Sequence, residues 1–157
     1  MISIDLMVQR LQERTIRPST KNDVDRVLEI WRDAVDATHG FLPQEDRVAI
    51  EAEVVSFLPD APLWVAVDEQ NKPLGWMLLD EDRMEALFID PVSRGEGVGR
   101  ALVQHALSLR SPIFTDVNEQ NLQAVGFYEH LGFVPIGRSE RDGHGRAYPL
   151  IHLRSAS

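Results

Sequence analysis

The chain contains no cysteine, and this absence excludes several classes of site. Its 157 residues can form no disulfide framework, no thiolate metal site and no cysteine nucleophile. Long apolar runs are missing too, since none approaches the roughly 18 residues that a membrane span needs. Residues 1–7 lack the basic region followed by an apolar core that marks a secretory signal. We therefore expect a cytoplasmic protein with no membrane partner.

Positive charge is scarce. The formal net charge is −9, and only Lys21 and Lys72 contribute lysine to the 16 basic residues. Because polyanion binding depends on clustered lysine and arginine, the composition disfavours a nucleic-acid partner. An acidic surface attracts cations, so it favours a positively charged acceptor such as an amine.

The order of the patterns predicts one mixed α/β domain over residues 15–153, with an N-terminal extension at 1–14 and a C-terminal tail at 154–157. Strands are predicted near 15–18, 63–67, 74–79, 83–89, 112–117, 133–138 and 148–153. Helices are predicted near 24–38, 43–58, 98–109 and 121–131. In the third helix we expect Val98, Leu102, Ala106 and Leu109 to face the core.

The most informative segment is the glycine-rich stretch within residues 88–102. Gly95, Gly97 and Gly99 precede or open a helix, and the free N–H groups and dipole of a helix start favour a phosphate or pyrophosphate. The segment is no Walker loop, because Arg100 and Ala101 follow Gly99. It also departs from the dinucleotide fingerprint, which needs glycine where Arg100 stands. An ordinary glycine turn before a helix is the alternative.

A second block, within residues 118–133, follows one helix and one strand later. Together the two blocks resemble the GNAT superfamily of N-acetyltransferases, which use acetyl-coenzyme A (acetyl-CoA). The matching positions are Arg94, Gly97 and Gly99 in the first block, and Asn121, Ala124, Phe127, Tyr128, Gly132 and Phe133 in the second. The resemblance implies a mostly antiparallel sheet of six or seven strands, with helices on both faces and a splayed parallel strand pair.

The resemblance also implies a site for the cosubstrate acetyl-CoA. Amides from Gly95 to about Ala101 would hold the pyrophosphate, and Arg94 and Arg100 would add charge, although Arg100 also fits a solvated helix surface. Main-chain groups near Leu87 and Ile89 would pair with the pantetheine arm. The implied cofactor-binding residues are Leu87, Phe88, Ile89, Arg94, Gly95, Glu96, Gly97, Val98, Gly99, Arg100, Ala101, Asn121 and Tyr128.

Two residues of the second block have both a structural and a functional interpretation. Asn121 stands where the last helix should begin and suits an N-cap, while the resemblance also brings it to the cofactor arm. Tyr128 either covers the edge of the core or, as the resemblance implies, protonates the departing thiolate. A phenol remains protonated at neutral pH, because its reference pKa is about 10.

The acceptor amine must lose a proton before it attacks. A direct base, a water-relayed base or a pocket that lowers the pKa of the amine can achieve this. In the family some members place a base or a water relay on the strand before the loop, which makes Glu85 a candidate, although the best alignment puts Arg83 at the position of the best-known glutamate. His39, between the first two helices, is the other candidate base. The remaining histidines show no metal-ligand spacing, so we expect no metal and assign no role to His105, His130, His144 and His152.

These patterns predict an enzyme that moves an acetyl group from acetyl-CoA directly to a primary amine. No cysteine is available for an acyl-enzyme, and no serine lies in a nucleophile-elbow motif. The acceptor is a small-molecule amine, a peptide or a protein, and the enzyme is a monomer or a homodimer. The alternative is a CoA-binding sensor or partner-binding module with little turnover. The acidic charge weakens a third possibility, transfer to RNA.

Overall fold

The computed structural model describes residues 14–38 and 40–156. Within these residues seven strands and four α-helices follow one another in the order that the sequence predicts. The helices are α1 (Val24–Thr38), α2 (Gln44–Phe57), α3 (Val98–Leu109) and α4 (Leu122–His130). The strands are β1 (Thr15–Pro18), β2 (Leu63–Val67), β3 (Pro73–Asp80), β4 (Arg83–Ile89), β5 (Phe114–Asn118), β6 (Val134–Ser139) and β7 (Leu150–Arg154).

All seven strands join one sheet in the order β1-β2-β3-β4-β5-β7-β6. Every neighbouring pair is antiparallel except β4 and β5. That parallel pair is in register only at Arg83–Phe114 and Met84–Thr115, after which the two strands separate. We call this gap the β4–β5 split, and the point where pairing ends its apex. The prediction of a mostly antiparallel sheet with a splayed parallel pair is confirmed.

The sheet carries helices on both faces, as predicted. On one face α3 and α4 cover a core that includes Leu102, Val103 and Met84. On the other face α1 and α2 cover a second core, which includes Ile30, Val65 and Trp76. This second core draws on β2, β3 and β4, so the α1/α2 face of β5, β7 and β6 lies beyond it.

Two sequence expectations need correction. Leu109 does not face the core: it is 48% exposed, and Val103 is buried in its place. The last strand runs over Leu150–Arg154 instead of 148–153. Just beyond it, Ser155 is buried, because its N–H donates to the carbonyl of Ile113 and its hydroxyl accepts from the Ile113 N–H, both at 2.8 Å.

No helix in residues 14–38 or 40–156 is long and apolar enough to cross a membrane. The predicted extension at 1–14 falls almost entirely outside the described residues, which begin at Arg14.

Candidate active site

The glycine-rich loop forms an open cradle between β4 and α3. Gly95 and Gly97 have φ angles of 78° and 82°, a conformation that side chains other than glycine rarely adopt. A Cβ built on either residue would meet no atom within 4 Å, so both face open space. The loop can therefore accept a bulky ligand against its backbone.

The start of α3 supplies the donors of this cradle. The amide of Ala101 bonds to the carbonyl of Gly97 at 3.0 Å, so the amides from Val98 to Arg100 precede the first intrahelical bond. The helix dipole adds about half a positive charge at the same end. Arg94 and Arg100 flank it with exposed side chains. This end of α3 suits a phosphate or pyrophosphate.

Gly99 has a different role from the other two glycines. A Cβ at this position would lie 3.0 Å from Cζ of Phe127, which is closer than ordinary packing allows. Gly99 therefore lets α3 approach α4 closely, while its amide remains among the donors at the start of α3. The spacing of the three glycines in the sequence does not separate these two roles.

The cradle is anchored to α1 by a buried acid. Asp90 accepts a hydrogen bond from the Val92 N–H at 3.1 Å and forms an ion pair with Arg26 of α1. Burial raises the pKa of Asp90, but the hydrogen bonds from Arg26 and Val92 outweigh it and hold the pKa below its ordinary value. The carboxylate thus fixes the turn that leads from β4 into the loop.

A cleft of about 460 Å³ joins the cradle to the β4–β5 split. It is lined by Ala34, Thr38, Leu87, Phe88, Ile89, Ser93, Arg94, Gly95, Gly97, Val98, Gly99, Arg100, Asn121, Gln123, Ala124, Phe127, Tyr128 and His130. All the sequence-predicted cofactor residues lie along it except Glu96 and Ala101. The amide of Ala101 is already used within the helix, and the carbonyl of Glu96 accepts from the Arg14 side chain at 2.8 Å.

Asn121 acts as the N-cap of α4 and also lines the cleft. Its side-chain carbonyl accepts from the Ala124 N–H at 3.1 Å, and the residue is buried. The NH₂ group of the same amide is a further donor, so capping does not use up its hydrogen-bonding capacity. Both interpretations of this residue are therefore compatible with the structure.

Tyr128 lies at the apex of the split, on the α3/α4 face. Its ring packs against Phe127 and Phe133, with centroid distances of 5.2 and 5.3 Å. Burial raises the pKa of its hydroxyl well above the ordinary value, and a hydrogen bond with Thr115 opposes this only in part. The phenol is therefore protonated throughout the neutral range and can donate.

On the α1/α2 face the same apex carries charged groups. Arg83 forms ion pairs with Glu85, at 3.2 Å, and with Asp116 of β5. Thr115 and Val117 are buried on the α3/α4 side, so Asp116 between them projects to the opposite face. Glu85, a candidate base from the sequence, is 41% exposed and bound to Arg83. His39, the other candidate, lies outside the described residues.

A polar row continues from Asp116 across the sheet. His152 of β7 places Nδ1 2.6 Å from Oδ1 of Asp116 and Nε2 2.7 Å from the hydroxyl of Ser139 on β6. The sequence patterns assign no role to His152 or Ser139. The Asp116–His152 contact joins residues 36 positions apart and depends on the pairing of β5 with β7, which no local motif encodes.

The β6–β7 connection packs against the α1–α2 region. The hydroxyl of Tyr148 donates to Asp46 of α2, and its ring lies 5.9 Å from that of Phe41. Arg146 donates to Glu53 at 2.9 Å. These contacts hold the β6–β7 connection against α2 and the segment before it.

Comparison with known proteins identifies the class to which this fold and cleft belong. The family model described as "Acetyltransferase (GNAT) domain" matches residues 40–150. The chain belongs to the GNAT acetyltransferase family. The predictions of this family, of its fold and of an acetyltransferase enzyme are therefore confirmed.

The chain is similar to named members of the family. It is 55% identical over 139 residues to the peptidyl-lysine N-acetyltransferase YjaB of Escherichia coli (strain K12), covering 88% of this chain and 95% of the relative. The solution structure of apo-form YjaB from Escherichia coli has a TM-score of 0.88 at 53% identity, covering 92% of this chain and 98% of that one. The structure of yncA from Salmonella typhimurium with its cofactor acetyl-CoA has the same fold, with a TM-score of 0.60 at 19% identity and coverage of 90% and 92%.

Proposed function

We propose that this enzyme transfers the acetyl group of acetyl-CoA to the side-chain amine of a lysine in a peptide or protein. The observation that supports this acceptor most is the 55% identity to YjaB, a peptidyl-lysine N-acetyltransferase, over 95% of that relative. The charge of this chain agrees with it, because a net charge of −9 favours a cationic acceptor.

The cleft fits acetyl-CoA. Its open glycine cradle and the free amides at the start of α3 match a pyrophosphate, and Arg94 and Arg100 can add forked contacts. Beyond the apex, β4 pairs with β3 on one side only, so the groups of Leu87 and Ile89 on the other side are available to a pantetheine arm. When bound there, acetyl-CoA supplies the acetyl thioester.

Tyr128 is the proposed acid. Its hydroxyl lies at the apex of the split, is buried and keeps its proton because burial raises its pKa. It can therefore donate that proton to a thiolate as the thiol leaves. A protein that only binds CoA needs no proton donor at this place, so Tyr128 favours turnover over a sensor.

We infer that the acceptor approaches from the α1/α2 face, opposite Tyr128, because the apex carries charged side chains there. A lysine amine with a reference pKa near 10.4 is only about 0.1% neutral at pH 7.4, so its proton must be removed, by a base, through a water relay or by a pocket that lowers its pKa. Two carboxylates on this face are candidates: Glu85, which follows from the sequence, and Asp116, which lies at the apex itself. His39, the other candidate from the sequence, lies outside the described residues.

The decisive test uses a peptide with one lysine and a blocked N-terminus. We expect the purified protein to release CoA thiol and to add one acetyl group to this peptide, measured by mass spectrometry. A peptide with arginine in place of lysine keeps the charge and should gain nothing. Acetylation of free small amines alone would overturn the lysine acceptor, and saturable acetyl-CoA binding without transfer to any amine would favour the sensor.

A further inference from the structure

The Asp116–His152–Ser139 row has the carboxylate–imidazole–hydroxyl order of a hydrolase triad. Here, however, the carboxylate and not the hydroxyl lies at the split. A carboxylate can only accept hydrogen bonds, so Nδ1 of His152 donates to Asp116. In the neutral imidazole Nε2 then accepts, and the hydroxyl of Ser139 donates to it. Ser139 therefore fixes the tautomer that lets His152 hold the carboxylate.

The strand order decides which member meets the ligands. From the split the sheet runs β5, β7, β6, and neighbouring strands lie about 4.8 Å apart. Ser139 on β6 is thus about 10 Å from β5, whereas Asp116 lies on β5 at the apex. Ser139 is too far from the split to act as a nucleophile there, and Asp116 is the member that an acceptor at the apex would touch.

The carboxylate is held from both sides. Arg83 contacts Oδ2 of Asp116, while His152 contacts Oδ1. The imidazole itself packs over Gly137 of β6, where a Cβ would lie 3.2 Å from its Cδ2 atom. The side chain of Asp116 is 21% exposed and that of His152 33% exposed, so both remain open to the α1/α2 face.

We propose that Ser139 and His152 are positioning residues, which orient the carboxylate of Asp116 toward the ammonium group of the acceptor. The inference rests on the proposed acetyl transfer to an amine. In the step itself an N–H bond of the ammonium breaks, its electron pair stays on nitrogen, and the proton forms an O–H bond with Asp116. The neutral amine is then free to attack, and Tyr128 acts separately on the opposite face.

The test compares a charged with an uncharged acceptor. The lysine peptide must be deprotonated, whereas hydroxylamine is largely neutral at pH 7.5 and needs no such help. We expect Asp116→Asn to lower kcat for the peptide about 100-fold or more, and His152→Ala to lower it about 10-fold, with little change in turnover of hydroxylamine. Because the asparagine amide can replace Nδ1–H as donor, His152→Asn should recover most of the peptide turnover.

Ser139→Ala gives a second, milder probe. It should lower kcat for the peptide by less than His152→Ala does, because the imidazole keeps its contact with Asp116 but loses the bond that fixes the tautomer. Circular dichroism and acetyl-CoA affinity establish that each variant is folded and binds the cosubstrate.

Two results would overturn the positioning role. One is unchanged peptide turnover in His152→Ala. The other is an equal loss with the peptide and hydroxylamine, which indicates a general structural effect. If the wild-type enzyme acetylates a free alkylamine but not the peptide, the lysine-peptide proposal fails, and the same variants assayed on that alkylamine decide the positioning role.

Discussion

Removing the hydroxyl of Tyr128 separates chemistry from folding more cleanly than any other single change in this site. Tyr128→Phe keeps the ring and its contacts with Phe127 and Phe133. The lost group is hydrogen-bonded to Thr115, whose own hydroxyl still donates to the carbonyl of Met84 at 2.8 Å. The substitution therefore leaves no buried polar group without a hydrogen-bond partner, and we expect the free energy of unfolding to fall by only about 1 kcal/mol.

The rate should fall by much more. A general acid typically contributes about 100- to 10,000-fold, which corresponds to roughly 3 to 5 kcal/mol of transition-state stabilisation. Acetyl-CoA affinity should stay close to that of the wild type, because the cradle is untouched. The combination expected is therefore a slow chemical step in a folded enzyme that still binds its cosubstrate.

Single-turnover measurement with saturating lysine peptide isolates the chemical step from acceptor binding. The chain offers a matched control, since its only other tyrosine is Tyr148, whose hydroxyl donates to Asp46 outside the split. Tyr148→Phe removes the same atom and should leave the chemical step unchanged. A Tyr128→Phe enzyme that is folded and transfers acetyl at the wild-type rate would refute the assignment of Tyr128 as the acid.

Three further predictions concern the cofactor cradle and stability. Gly97→Asp should abolish the rise in melting temperature that acetyl-CoA causes, whereas Gly145→Asp, with a similar φ of 78° and equally open space but outside the cleft, should retain it. The pKa of Asp90 is held below its unfolded value of about 3.9, so its stabilising contribution is present above that pH and is lost as the pH falls further; denaturant titrations should show a shallower acid loss in Asp90→Asn. Burial lowers the pKa of His105, so the unfolded chain binds its proton first and stability falls as the pH drops below about 6.5. Denaturant titrations at pH 7.5 and 5.5 should show a smaller difference for His105→Phe than for the wild type, and an equal difference would contradict the argument.

The parts of this site that the sequence predicts are those encoded by short segments. Gly95 and Gly97 precede a helix within a few residues, so their open backbone could be inferred from the chain alone. Tyr128 follows Asn121 by seven positions, or about two helical turns, which places both on one side of α4. Local spacing and family resemblance together therefore predict residues that line the cleft.

The other side of the split could not be located in this way. Asp116 and His152 become neighbours only because β7 inserts between β5 and β6, and that strand order is not written in either segment. Glu85 is a candidate because it is an acid on the predicted strand, and that pattern does not indicate its ion pair with Arg83, two residues away on the same strand. Non-local β pairing thus limits how far the acceptor side can be predicted from sequence.

The close packing of His152 over Gly137 restricts which residues can occupy these two positions in related proteins. A methyl group there would push against the imidazole ring, whose two hydrogen bonds of 2.6 and 2.7 Å leave little freedom to move aside. Positions 137 and 152 should therefore change together among relatives. A histidine at 152 should coincide with glycine at 137, and larger residues at 137 should accompany loss of the histidine. This pairing gives a two-letter signature by which proteins sharing the Asp116–His152–Ser139 row can be sought.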